Sequence, residues 1–441
     1  MSNELPQGWI EATINEINLH KSQNITPSDF PEEEFELFSV PIFPTGKPEN
    51  ILGKDIGSSK QVVSPGDVLL CKINPRINRV WTVGEKANLR QIASSEWINI
   101  RNPLICANYL KYAFSKKDFR ELLCSEVAGV GGSLTRAQPK KVEKYTVPIA
   151  PLNEQIRIAD KLDSMLAKVD AAQARLERIP TLLKRFRQAV LAAATSGELT
   201  EVWRKQFDRT DEWNLVSLAD IGELGRGKSK HRPRNDPQLY GGPYPFIQTG
   251  AVAQSGGLIT FHSQTYSEFG LSQSKLWPAG TLCITIAANI ADTAILTYPA
   301  CFPDSVVGFV ADPSKCMPQF VKWSIDVISD HLESFAPATA QKNINLAVLN
   351  DVRFRCPELE EQTEIVRRVE SLFTLADTVE KQYLETKKRI DRLTQSLLAK
   401  AFRGELVPQD PNDEPAAELL KRIQAERNAQ PPMKNKRKQQ A

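Results

Sequence analysis

Two stretches of this chain align with each other at one fixed offset and without a gap. Glu154-Gln155 recurs as Glu361-Gln362 and Gly197-Glu198-Leu199 recurs as Gly404-Glu405-Leu406, so that 361 − 154 and 404 − 197 both give 207. Inside this frame Ala172, Leu176, Ile179, Leu183, Phe186 and Val190 are spaced alternately by four and three residues. The second copy repeats the spacing at Val379, Tyr383, Thr386, Ile390, Leu393 and Leu397. Alternating steps of four and three place side chains along one seam of a helix, the heptad pattern of a coiled coil. Two equal seams in one chain can bury each other, so the repeat reads as a spacer holding two further modules. Pro180 lacks the N–H that a helix interior needs and predicts a kink in the first copy.

At 441 residues with 41% hydrophobic and 25% charged residues, the chain has ordinary globular composition and room for two to four domains. Lysine and arginine total 56 against 53 aspartates and glutamates, so any nucleic-acid footprint must be local. No apolar run approaches the roughly 20 residues needed to span a bilayer, and MSNELPQGW lacks a charged leader followed by an apolar core. A cytoplasmic protein without membrane contact is the expectation. The seven cysteines are scattered, no Cys-x-x-Cys occurs and the four histidines lie far apart, which argues against a metal site.

Residues 1–150 carry short β-branched runs punctuated by Pro and Gly, the mark of a mixed α/β module. Helical region 151–205 follows, then a second mixed module over 206–356, a second helical region over 357–410, and a segment 411–441 with a short amphipathic helix and a basic, disordered tail. The modules echo each other faintly. Gly8-Trp9 with Thr13, Ile14 and Ile17 resembles Glu212-Trp213 with Ser217, Leu218 and Ile221, and Ser64 to Leu69 resembles Trp277 to Leu282. A shared fold with diverged loops is expected, in an α+β chain overall.

Gly222 to Ser229 matches the phosphate-loop expression, yet Pro233, Pro237, Pro243 and Pro245 follow where that loop requires a helix. The same stretch reads better as an electrostatic loop. Arg226, Lys228, Lys230, Arg232 and Arg234 occupy alternate positions, which in extended backbone would place them on one side, facing a line of phosphates. The first module offers Lys72, Arg76, Arg79, Arg136 and Lys140 with Lys141, and Gly129 to Ser133 would allow close backbone approach. Near the end of the second module, Gln341, Lys342 and Asn343 have the chemistry to meet an adenine edge and a phosphate or guanine. No nucleophile elbow, metal cluster or cofactor-binding glycine loop in strand-helix context appears, so no catalytic residue is expected.

The run TAQKNINLAVLNDVRFRCPELEEQ from Thr339 to Gln362, and the helix closing with AFRGELVPQ from Ala401 to Gln409, resemble the specificity subunits of type I restriction-modification systems. The likeness extends to VPIAPLNEQ through SGEL in the first copy and to GRGKSKHRPRNDPQLYGG, which resembles the opening of a target-recognition domain. It departs from the family pattern at Ser133 to Pro139, where a Gln-Lys-Asn run is common, and at Pro180. The resemblance implies that modules 1–150 and 206–356 are target-recognition domains, each reading half of a bipartite, asymmetric double-stranded DNA target. It also implies that the helical copies pair as an antiparallel coiled coil and dock modification subunits, two in number, together with restriction subunits. S-adenosylmethionine, ATP and magnesium would then belong to those partners, with no cofactor on this chain. A helix of about 28 residues extends about 42 Å, enough to separate two readers by one DNA turn of about 34 Å. The other reading of the same pattern is a stand-alone bipartite DNA-binding regulator with a coiled-coil hinge.

Overall fold

In both modules a four-residue strand runs straight into a one-turn helix, because a hydroxyl residue ends the strand and a carboxylate stands three residues on. The first is Ile10–Thr13 followed by Ile14–Ile17, where the Glu16 carboxylate accepts from the Thr13 N–H and hydroxyl, both at 2.7 Å. The second is Asn214–Ser217 followed by Leu218–Ile221, where Asp220 accepts from the Ser217 N–H and hydroxyl at 2.8 and 2.6 Å. Each strand pairs antiparallel with the strand that closes its module, Thr146–Ile149 in one case and Arg353–Cys356 in the other. The computed structural model describes residues 5–85, 88–125, 127–128, 135–209, 212–287, 291–334 and 346–429. It divides into two units, one of residues 1–176 with 385–441 and one of residues 177–384.

The echo between Ser64 to Leu69 and Trp277 to Leu282 marks the centre of each module. Gly66 and Gly280 adopt left-handed φ values of 82° and 84°, which an L side chain would resist. Both lead into fully buried strands, Val68–Cys71 and Leu282–Thr285. Each central strand lies between two antiparallel neighbours. These are Val80–Thr82 and Trp97–Ile100 in the first module and Thr293–Leu296 and Val306–Ala311 in the second. A helix then follows, Ala107–Ser115 or Pro318–Ser334. Around this common centre the modules diverge. The first adds a five-stranded sheet in the order Asn24–Ile25, Lys60–Val62, Arg90–Ala93, Glu34–Phe38, Glu49–Leu52. The second widens its sheet with Gly222–Arg226 and Leu258–Ile259 and carries a separate ribbon of Tyr240–Phe246 with Gln264–Tyr266.

The first helical copy forms two helices, Leu152–Leu176 and Ile179–Ser196, with Pro180 in the opening turn of the second, where its missing N–H costs nothing. Gly197 and Gly404, at φ 84° and 71°, follow the two copies with left-handed backbone. The second copy is one helix of 43 residues, Leu359–Ala401. In the first unit Ile158, Leu162 and Val169 share a core cluster with Leu397, Leu398 and Ala401, and in the second unit Val190 and Ala194 share one with Ile365, Val366 and Val369. Early residues of one copy thus meet late residues of the other, as an antiparallel pair requires.

The seam itself departs from the heptad expectation. Leu183, Val190 and Leu397 are buried and Ala172, Leu176, Ile179, Val379, Tyr383 and Ile390 half-buried, whereas Phe186, Thr386 and Leu393 face outward. A helix of 3.6 residues per turn drifts about 20° per heptad from a strict seven-residue repeat. The inward position passes to Arg187, which reaches across to Asp377 at 2.6 Å and Glu380 at 2.9 Å, and to half-buried Thr394. The helix Ala416–Ala429 buries Ala416, Leu419 and Ile423 against the first module's core around Ile14 and Ile17. The expected basic tail from Gln430 lies outside the described residues.

The markers that define the repeat are the residues that fix each module to its helix. The Trp9 indole donates to Glu154 Oε2 at 3.0 Å and the Trp213 indole to Glu361 Oε2 at 3.1 Å. Gln155 accepts the Cys106 N–H at 3.0 Å and donates to the Ala150 carbonyl at 2.8 Å. Gln362 accepts the Met317 N–H at 2.8 Å and donates to the Pro357 carbonyl, also at 2.8 Å. All four acidic and amide side chains are buried. The locks differ in one respect. Glu361 also receives Arg204 and the Thr200 hydroxyl, each at 2.6 Å, while the residues in register with these two, Pro411 and Val407, bring no charge to Glu154. One oxygen of Glu154 has no hydrogen-bond partner, and burial raises its pKa.

Glu361→Gln is expected to destabilise the second unit by about 1–3 kcal/mol, the cost of stranding a largely buried cation after discounting for its partial exposure. Glu154→Gln should leave the first unit unchanged or stabilise it near neutral pH. A carboxyl whose folded pKa is raised favours folding when protonated, so that advantage should shrink as pH falls through its folded value. Hydrogen exchange at the paired strands of each module, measured across pH, reads both effects. For the seam, Leu397→Ala should cost about 2–5 kcal/mol and Leu393→Ala less than about 0.5 kcal/mol, read by denaturant midpoints.

Candidate nucleic-acid interface

The alternation that places basic side chains on one side of a loop is present in the second module. Arg226, Lys228, Lys230, Arg232 and Arg234 are exposed, while Gly227 between them is buried and Ser229 and His231 are half-buried. Gly227 is required because a side chain there would run into the Pro303 carbonyl and the Phe302 ring. The stretch that matches the phosphate-loop expression begins as a strand, Gly222–Arg226, paired antiparallel with Val306–Ala311, and no helix follows it before Pro237. This stretch therefore does not take the shape of a phosphate loop leading into a helix.

Main-chain and side-chain bonds hold the loop in place. Lys230 N–H donates to the Gln273 carbonyl at 3.2 Å, the Ser274 hydroxyl to the Lys228 carbonyl at 2.8 Å, and the Tyr240 hydroxyl to the Arg234 carbonyl at 2.6 Å. His231 Nε2 lies 2.8 Å from the Asp236 carboxylate, which also caps the Gln238 N–H at 3.0 Å. These bonds, the backbone cap first, keep the Asp236 carboxyl below its usual range. Arg232 curls back onto the Ser229 and His231 carbonyls at 2.6 and 2.8 Å without losing its charge.

Two of the five cations meet Asp304, a partner that sequence reading could not supply because it lies 70 residues or more further on. Asp304 accepts from Arg234 at 2.8 and 3.1 Å, and its backbone carbonyl accepts from Arg226. An exposed ion pair of this kind is worth about 0–1 kcal/mol, so a phosphate can displace it.

In the first module Lys72, Arg76, Arg79 and Arg136 gather at the turn after the central strand, where Ile73 bridges to Arg136. Two of the expected DNA contacts here have partners within the module. Arg79 is half-buried, pointing to the Ile73 carbonyl at 3.4 Å and the Cys71 sulfur at 3.7 Å, and Arg136 forms a forked pair with Glu96 at 3.2 Å. Arg136 stays exposed beside Glu96, and an exposed pair of this kind leaves its charge open to a phosphate. Arg76 and Lys140 are exposed and Lys72 is half-buried. Gln341, Lys342, Asn343 and the stretch Gly129 to Ser133 lie outside the described residues. Among the described residues no group of acids, histidines and cysteines is arranged to hold a metal, and no helix is long and apolar enough to cross a membrane.

The architecture is that of a tandem α+β scaffold, in which one lock is repeated at the foot of two divergent modules. A family model described as the type I restriction modification DNA specificity domain matches residues 210–387. The EcoBI specificity subunit of Escherichia coli is 33% identical over 356 residues, 74% of each chain. The StySPI specificity subunit of Salmonella potsdam is 29% identical over an alignment of 470 residues covering 99% of both. The chain belongs to the specificity subunits of type I restriction enzymes. Its fold is that of the HsdS subunit from Thermoanaerobacter tengcongensis, with a TM-score of 0.66 at 21% identity, covering 91% of this chain and 98% of the other.

Replacing Arg232 and Arg234 together by alanine is expected to weaken binding to every DNA sequence alike. It should also flatten the slope of log K against log salt by about one to two units, about one per lost phosphate contact. Titrations of duplex DNA at several salt concentrations give both quantities.

Proposed function

We propose that each module reads one half of a bipartite, asymmetric double-stranded DNA target, and that the helical repeat carries the partners that act on it. The observation behind this reading is the repeated lock. Trp9 with Glu154-Gln155 and Trp213 with Glu361-Gln362 hold two modules of one common core in the same way, while the loops differ. Identical mounting with divergent loops suits two readers of different sequences. On this reading Arg226, Lys228, Lys230, Arg232 and Arg234 hold phosphates in the second half-site, and Lys72, Arg76, Arg79, Arg136 and Lys140 do so in the first. Gln341, Lys342 and Asn343 remain proposed base contacts.

The chain itself performs no chemistry on this account. Adenine N6 methylation by S-adenosylmethionine would belong to two modification subunits, and ATP- and magnesium-dependent translocation and cleavage to restriction subunits, in the cytoplasm. A second observation favours this over a stand-alone regulator. Phe186 and Leu393 occupy equivalent positions of the repeat, 207 residues apart, and both are apolar and outward-facing, at 37% and 43% exposure. A hinge has no use for matched apolar residues in water, whereas two copies of one partner would cover both. Phe186→Asp with Leu393→Asp should therefore lower affinity for the modification subunit at least about tenfold, the effect of removing one contact worth 1.4 kcal/mol, while leaving helix content and thermal stability unchanged. Mapping methylated adenine across a genome with and without the gene tests the function as a whole. A bipartite motif that disappears with the gene is the expected result, and methylation unchanged by its loss would refute it.

A further inference from the structure

The ribbon of Tyr240–Phe246 and Gln264–Tyr266 begins where the basic loop ends, since the Tyr240 hydroxyl holds the Arg234 carbonyl at 2.6 Å. At its other end Phe246 pairs with Gln264, and Gln248 follows two residues later. There the two glutamine side chains are joined, Gln248 Nε2 to Gln264 Oε1 at 2.6 Å, and both are exposed. Whichever way the amides are turned, the bond uses one N–H and leaves carbonyl lone pairs and further N–H groups directed to solvent. An adjacent donor and acceptor in one plane is the pattern that meets adenine N7 and N6 in the major groove. Ordinary surface glutamines lose rotamer freedom when they bind. These two are already tethered, on a ribbon stiffened by Phe246 stacked on Tyr266 with centroids 4.0 Å apart.

Beside them, in the turn entering Gln264, Phe261 is 77% exposed, more than any other large apolar side chain among the described residues. It lies near-parallel to His262, at 22°, and His262 Nδ1 is 3.2 Å from the Tyr298 hydroxyl. An aromatic held outward in water beside a tethered amide pair suits the apolar part of a base-pair edge, the thymine methyl above all. Seven residues of ribbon span at most roughly 20 Å at about 3.3 Å each, against a major groove roughly 12 Å wide. Both ends of the ribbon can thus serve one half-site.

We infer that Gln264, buttressed by Gln248 and accompanied by Phe261, reads an A·T base pair in the half-site of the second module, while the basic loop at the other end of the same ribbon holds phosphates. This rests on the proposed function above and adds residues to it. The test uses the full chain assembled with its modification subunit, with bound sequences selected from a random duplex pool and affinities measured for the selected site and its single-base variants. Gln264→Ala should reduce discrimination at one A·T pair by roughly tenfold to a hundredfold and leave the salt slope unchanged. Gln264→Glu, which keeps the shape and the acceptor for Gln248, should do the same by removing the donor to adenine N7. Phe261→Ala should weaken the same base pair's preference without altering thermal stability. Unchanged base preference in both Gln264 variants overturns the inference, as does a salt slope lowered by one unit, which would make the residue a phosphate contact. If the unsubstituted complex selects no bipartite site at all, the proposed function fails instead, so the two failures are distinguishable.

Discussion

Each module of this chain is tied to its helical copy by a hydrogen bond between an indole and a buried glutamate. Trp9 and Trp213 each open a module, Glu154 and Glu361 each open a helix, and the neighbouring glutamines satisfy the first backbone N–H of the module's own helical segment. Burial of four polar side chains is costly unless each finds its partners. Paired at all but one Glu154 oxygen, they make the angle between module and helix specific, where apolar contact alone would tolerate sliding. The modules can vary their sheets and loops because none of that variation touches the mounting.

The two mountings are nevertheless not equal. Arg204 neutralises Glu361, and nothing in register neutralises Glu154. The first unit instead places Arg157 one helical turn on, paired with Asp413 at 2.6 Å from the segment before the last helix. A repeat that is conserved in its hydrogen bonds has been free to drift in its charges.

Much of this was legible in the sequence, and the limits are physical. The offset of 207 revealed the helical copies because their spacing is fixed by packing, and the faint echoes at Gly66 and Gly280 marked the central strands because left-handed turns restrict residue choice. The heptad reading failed at Phe186, Thr386 and Leu393 because a short pair of helices need not supercoil, and a period of 3.6 then overtakes one of 3.5. The basic loop was visible as alternating charge, but Asp304 beside it was not, since an ion pair between distant residues leaves no local pattern. Gln248 and Gln264 carried no signal for the same reason: one strand register brings them together.

The first unit is discontinuous in the chain, with the helix Ala416–Ala429 sealing a core that begins at Ala12. Domains generally fold as they emerge during synthesis, the earlier ones first. Here that order is reversed. Residues 177–384 are made while the first module still lacks part of its core, so the module made before them must wait, with apolar surface uncovered, for a helix made after them. A ribosome that stops short of Ile423 releases a chain whose second module is whole and whose first is unfinished, so loss of the helix Ala416–Ala429 damages the module that precedes it by more than 250 residues.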